Sequence, residues 1–182
     1  MTYGIDKSSS RFTVRAFATG MLSSLGHSPT FAVRDFDGDL DFAPDAPNAT
    51  SLRIHVKADS LEVMDDIKSK DREEMESTMN QRVLETTKYP EIEFGTTSVA
   101  VTQLGESRYR ANLNGNLSLH GMTRPVTIPT QVTVMGDMLR ASGEFPLLQS
   151  NFGIAPVSVA GGTLKLKDEI KFAFDIVARK QD

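Results

Sequence analysis

Along most of this chain hydrophobic and polar residues alternate with the period of a strand that has one dry face and one wet face. The clearest run is Tyr109 to Leu119, where Tyr109, Ala111, Leu113, Gly115, Leu117 and Leu119 oppose Arg110, Asn112, Asn114, Asn116 and Ser118. Asn114-Gly115 is a common hairpin turn, but the in/out parity runs through it, so the pattern predicts one unbroken strand. At the usual rise per residue such a strand is roughly 35 to 40 Å long, which suits a tall barrel. Gly115 then faces inward, where a missing side chain marks a bulge, a bend or a place where something approaches the backbone. In a hollow barrel it would leave room for a guest.

Similar patterns predict a first strand over Arg11 to Phe17, with Phe12 and Val14 inward, and another from Phe31, with Phe31 and Val33 inward. Leu52, Ile54 and Val56 oppose Arg53, His55 and Lys57, which turns His55 outward. Val99 and Val101 continue the sheet, Gly121 to Pro125 reads as a turn, and Val126, Ile128, Val132 and Val134 form the next strand, with Pro129 marking a bulge or an edge. Leu139, Ala141, Gly143 and Phe145 alternate next. Gly161-Gly162 reads as a turn, and a last strand opens at Asp168, with Ile170, Phe172, Phe174 and Ile176 on its dry face.

Two segments change period. Met21, Leu22 and Leu25, followed by Gly26, predict a short helix capping one end of the sheet. Asp71 with Glu74 three residues later reads as a capping box, so a second helix starts near Arg72, with Met75, Met79 and Val83 on one face, plain core being preferred to a ligand-lining surface although methionine's adaptability suits an irregular apolar guest. Long alternating strands, few helices and no βαβ repeat predict an all-β fold, a closed antiparallel β-barrel with one or two short capping helices in a single domain over residues 1–182.

Composition narrows the partners. With 20 basic and 24 acidic residues and no basic cluster, the chain has no electrostatic footprint for nucleic acid or an anionic membrane. It has no cysteine, which excludes disulfides, thiol nucleophiles and zinc thiolate sites. Met1 to Phe17 contains Asp6, Arg11 and Arg15 and no uninterrupted apolar run, so the expected location is cytoplasmic without stable membrane insertion. A leader replaced by a start Met would look the same and would make the location periplasmic. Asp35, Asp37, Asp39 and Asp41 share one strand face, but Leu40 and Ala46 stand where a calcium loop would need its Gly and its bidentate Glu. A solvated acidic face is the preferred reading.

Three segments carry a resemblance. Gly115 to Val126, GNLSLHGMTRPV, resembles the pattern G-x-L-T-[IL]-[HN]-G-[VM]-T-[KR]-P-V of the YceI-like, polyisoprenoid-binding proteins. Lys88 to Phe94 resembles their K-Y-P-x-I-x-F element. Ser150 to Ile154 resembles their S-D-F-G-I segment, with Asn151 in place of the acid. Near the N-terminus His27 and Ser28 match a further element, but Arg34 stands near the position of a second family histidine, whose role cannot be carried over. The resemblance implies a hollow, lipocalin-like barrel around a long isoprenoid chain, and for many members export from the cytoplasm.

The candidate ligand-binding residues are therefore the inward Phe12, Val14, Phe31, Val33, Leu52, Ile54, Leu113, Gly115, Leu117, Leu119, Phe172 and Phe174. Alternation marks their face without saying whether the interior is filled. No catalytic or metal residues are expected, since the chain has three histidines and none of the common hydrolase, zinc or phosphate motifs. His27 follows a Gly at the end of a helix, where an imidazole caps carbonyls, a structural role preferred to one in holding a ligand head, a haem or a metal. The expected function is a non-catalytic carrier or store for a long apolar lipid, a polyisoprenoid or prenylated quinone, with no other cofactor and with a homodimer left open. The alternative is a ligand-free interaction or stress-response module with a packed core.

Overall fold

The computed structural model describes residues 1–19, 28–159 and 164–181. The expected helix at Met21 to Leu25, His27 and the Gly161-Gly162 turn lie outside these described residues. The strands are β1 (Thr2–Ile5), β2 (Arg11–Thr19), β3 (Thr30–Val33), β4 (Phe36–Asp41), β5 (Ser51–Lys57), β6 (Leu61–Val63), β7 (Glu91–Gln103), β8 (Arg108–Leu119), β9 (Met122–Met135), β10 (Met138–Leu148), β11 (Ser158–Val159) and β12 (Leu164–Lys180), with the helix α1 (Ser69–Thr78) between β6 and β7.

Every pairing is antiparallel, in the order β1-β4-β5-β7-β8-β9-β10-β12, and β12 returns to β1 through Tyr3 opposite Lys180 and Ile5 opposite Ala178. That closes an eight-stranded barrel. The upper halves of three of its staves are separate short strands: β2 continues β1, β3 continues β4 and β6 continues β5, paired in the order β12-β2-β3-β6. Closure pairs most staves on both sides, whereas among the described residues the β10 side of β9 before Gln131 and the outer side of β6 have no strand partner.

The break between β1 and β2 is built around Asp6. Its carboxylate accepts from Ser8 Oγ at 2.6 Å, Arg179 Nε at 2.9 Å, Ser9 Oγ at 3.0 Å and Ser9 N at 3.3 Å. The Ser8 hydroxyl first, then Arg179 and Ser9, hold its carboxyl well below the usual carboxylate range. A folded-state value lowered in this way gives stabilisation that is complete above the unfolded value of about 4 and fades as pH falls toward the folded value. Thermal denaturation of wild type and Asp6→Ala should therefore show a constant gap between about pH 5 and 8 that narrows below about pH 4. A gap independent of pH down to strong acid would show that the carboxylate charge has no part in it.

β8 runs unbroken through Asn114-Gly115, as the parity required. The irregularity lies on its neighbour, where Thr97 is an extra residue between Thr96 opposite Gly115 and Ser98 opposite Asn114. That bulge moves the dry face of β7 from Ile92 and Phe94 to Val99 and Val101. The tight turn is instead His120-Gly121, with φ of 52° and 73° and Leu119 opposite Met122. Two residues at positive φ make a hairpin turn whose twist matches the strands. The turn expected over Gly121 to Pro125 is thus shorter, and Met122 to Pro125 are already strand. Pairing of β9 with β10 stops at Gln131 opposite Ser142, so Pro129 occupies an edge on that side, where its missing N–H has nothing to lose.

Three further expectations need correction. β1, β6 and β11 were not anticipated, because two to four residues are too few to show a period. β12 begins at Leu164 rather than Asp168, because a bulge between Leu166 and Ile170 breaks its alternation at the charged residues. α1 begins at Ser69, capped at Lys68 by no side chain, so Asp71 lies within its first turn and forms no capping box. A wider turn over Met79–Val83 continues it.

α1 covers the stretch where β6 has no strand on its second side. Glu76 Oε1 accepts from Val63 N at 2.9 Å, and Arg72 donates to the carbonyls of Val63 and, at 2.9 Å, Asp65. Side chains of the helix thus stand in for the missing strand. The acidic face is solvated: Asp37, Asp39 and Asp41 point outward from β4, and Asp35 in the break before it pairs with Lys7 at 2.9 Å.

Candidate ligand cavity

The inward faces of the staves do not meet. They enclose a cavity of about 540 Å³, within the range of roughly 300 to 1,000 Å³ usual for small-molecule sites. Of the residues expected to line it, Phe12, Val14, Phe31, Val33, Leu52, Ile54, Leu113, Leu117, Leu119, Phe172 and Phe174 all do. Leu52, Ile54, Phe12, Phe172 and Phe174 pack against the core yet are only partly buried. Their remaining surface faces the lumen, which a filled core would have covered.

Gly115 is the exception. It is buried and faces inward, but the Phe94 ring occupies the space in front of it: a Cβ there would sit 2.7 Å from that ring and 2.3 Å from the Gly95 carbonyl oxygen. The missing side chain makes room for Phe94, not for a guest.

One end of the cavity is floored by Tyr3, Phe42, Tyr109, Leu139 and Ala178, a separate cluster in which Phe42 and Tyr109 meet edge to face at 5.8 Å. Tyr3 is 2 % exposed. Higher in the barrel, Phe145 and Phe172 stack at 5.1 Å and Phe12 packs between Phe172 and Phe36. At the opposite end the wall is finished by Met75, Met79, Val83 and Leu84. This methionine stripe, expected as plain core, lines the lumen because the helix covers a gap in the wall instead of packing on a finished sheet. The same end also carries Asp71, Glu74, Gln149 and Lys165.

The sequence reading missed several lining residues. Phe94 and Val101 are inward on opposite parities because of the Thr97 bulge. Gln149 follows β10, in a 3-10 turn that no strand period reaches.

The histidines described here serve other ends. His55 is outward on β5, 3.4 Å from Glu93. His120 is not among the cavity-lining residues; its Nε2 lies 2.7 Å from Glu85 Oε2 and its Nδ1 3.1 Å from the Phe152 carbonyl, while its ring packs on Tyr89 at 4.6 Å. Arg124 Nε donates to the Asn151 carbonyl at 3.1 Å, and Asp168 receives the Ser150 N–H at 2.7 Å. The Lys88, His120 and Ser150 segments, far apart in sequence, thus form one clasp at the helix end of the barrel. Among the described residues no group of three or more His, Asp or Glu side chains could hold a metal ion.

These are the segments that carried the resemblance, and a family model for the YceI-like domain matches residues 3–178. The chain belongs to the YceI-like family. Its relatives include a UPF0312 protein of Azotobacter vinelandii, 30% identical over 91% of this chain and 74% of its own length. A UPF0312 protein of Pseudomonas putida (strain W619) is 34% identical over 69% of this chain. That match spans 58% of the Pseudomonas protein. Among solved structures, Burkholderia cenocepacia BcnA superposes with a TM-score of 0.74 at 18% identity, covering 95% of this chain and 98% of BcnA. A polyisoprenoid binding domain from Saccharophagus degradans superposes with a TM-score of 0.66 at 10% identity, covering 98% of each. At these identities the YceI-like barrel is what is shared. No helix among the described residues is long and apolar enough to cross a membrane.

Proposed function

We propose that this protein is a non-catalytic carrier or store for a long apolar lipid, a polyisoprenoid or prenylated quinone held inside the barrel. The observation that carries the reading is the unfilled lumen of about 540 Å³ walled by aliphatic and aromatic side chains. Each methylene moved there from water is worth about 0.8 kcal/mol, so about ten of them supply about 8 kcal/mol, the scale of a micromolar Kd before the costs of association. An apolar chain needs no specific contact to reach that scale. The Saccharophagus degradans domain, described as polyisoprenoid binding, supports the ligand class from a protein of the same fold. A packed interaction module needs a filled interior, which the half-covered Phe172 and Phe174 do not provide.

Mass spectrometry of an organic extract of the purified protein tests this directly. A polyprenyl species at about one per chain is expected, with its place taken by a fluorescent isoprenoid after delipidation. Empty extracts together with no uptake of the probe would overturn the carrier reading.

A further inference from the structure

Of the described residues lining this apolar lumen, two polar side chains are more than nine-tenths buried: Thr130, 3 % exposed, and Gln149, 6 % exposed. Gln149 Nε2 donates to the Lys167 carbonyl at 3.0 Å. Because a carbonyl can only accept, this bond fixes which way round the amide sits and turns its oxygen away from Lys167. That oxygen accepts no hydrogen bond from any described residue, yet it is not sealed in the protein. An acceptor left in an apolar site without a donor is unfavourable until something supplies one. Thr130 Oγ1 directs its proton to the Ile128 carbonyl at 3.2 Å and lies opposite Ala111, one step from the Tyr109 floor, so it belongs to the other end of the lumen.

Charge at the Gln149 end adds a second constraint. Gln149 follows the end of β10 far from the Tyr3 and Tyr109 floor, and Lys165 lies near the start of β12, which pairs with that end. Among the described residues the charged ones lining the cavity are Asp71 and Glu74 on α1 against Lys165. Two carboxylates against one ammonium repel an anionic head group.

Resting on the carrier reading, we infer that the guest's polar end bears a hydrogen-bond donor and no negative charge, and that Gln149 is the residue that selects it. The class is a long prenyl chain ending in a hydroxyl, such as a prenol or a hydroquinone, rather than a prenyl diphosphate or a head group that can only accept. A site with a buried acceptor discriminates against a guest lacking the donor more strongly than an apolar wall discriminates by shape.

Competition against a fluorescent isoprenoid by geranylgeraniol, its methyl ether and its diphosphate tests the inference. Wild type should bind the alcohol about fivefold more tightly than the ether, the worth of one net hydrogen bond, and the diphosphate most weakly. Gln149→Met keeps the volume and should bring alcohol and ether to near-equal affinity. Asp71→Asn with Glu74→Gln, both on the exposed helix, should improve diphosphate binding while leaving the alcohol-to-ether ratio unchanged. Equal binding of alcohol and ether by wild type, or a diphosphate that binds most tightly, overturns this inference and leaves the carrier reading standing. Failure of the probe and of all three compounds to bind removes both.

Discussion

Gly115→Ala is expected to lower stability by about 3 kcal/mol in chemical denaturation, at or beyond the upper end of what overpacking a barrel wall usually costs. The added methyl would meet the Gly95 carbonyl at 2.3 Å and the Phe94 ring at 2.7 Å. The ring could rotate, but the carbonyl belongs to β7, paired on both sides with β5 and β8, and cannot withdraw without pulling the Thr97 bulge apart. Gly95→Ala is the control, since nothing lies within 4 Å of its added methyl, and its stability should stay within about 0.5 kcal/mol of wild type. Equal effects of the two substitutions would mean that the Phe94 ring is not seated over Gly115. A loss of that size is a substantial share of the stability of an ordinary domain.

Leu52→Trp is expected to do the reverse, leaving the melting temperature within a few degrees of wild type while weakening isoprenoid binding by at least about tenfold. Leu52 is inward on β5, half-buried, and lines the lumen. A larger ring there displaces guest volume, and each lost methylene contact removes about 0.8 kcal/mol, so two are enough for a tenfold effect. In a filled core the same change would be overpacking and cost about 1 to 3 kcal/mol of stability. Denaturation and probe titration on one preparation distinguish the cases: lost stability with retained binding would place Leu52 in packed core and contradict the lumen.

Both substitutions start from inward residues of the same alternation, and their expected outcomes diverge. Which face of a strand a residue occupies follows from its neighbours two positions away, a local property that needs no knowledge of the rest of the chain. For that reason the long strands from Arg11 onward, the outward turn of His55, the solvated Asp35 to Asp41 face and eleven of the twelve positions expected to face the lumen were legible in the sequence. So was the uninterrupted β8, because parity is lost at once when a turn intervenes. The family motifs were legible too, although nothing in their spacing reveals that Lys88, His120 and Ser150 meet in one clasp.

What lies opposite a residue across the barrel is another matter. The Thr97 bulge exchanges the faces of β7 midway, and only its register against β8 shows where. The start of α1 follows from the unpaired edge of β6, which Arg72 and Glu76 complete, and that edge exists only once the short strands have paired. Gln149 enters the lumen from a turn with no period to read. Above all, period two fixes the direction of Phe172 and Leu52 but not the distance between them. That distance is set when β12 closes on β1 from the far end of the chain and the strand number and tilt determine the barrel's width. Inwardness was written locally, whereas hollowness is a property of the closed ring, and so only the tertiary structure decided that these side chains border a space they do not fill.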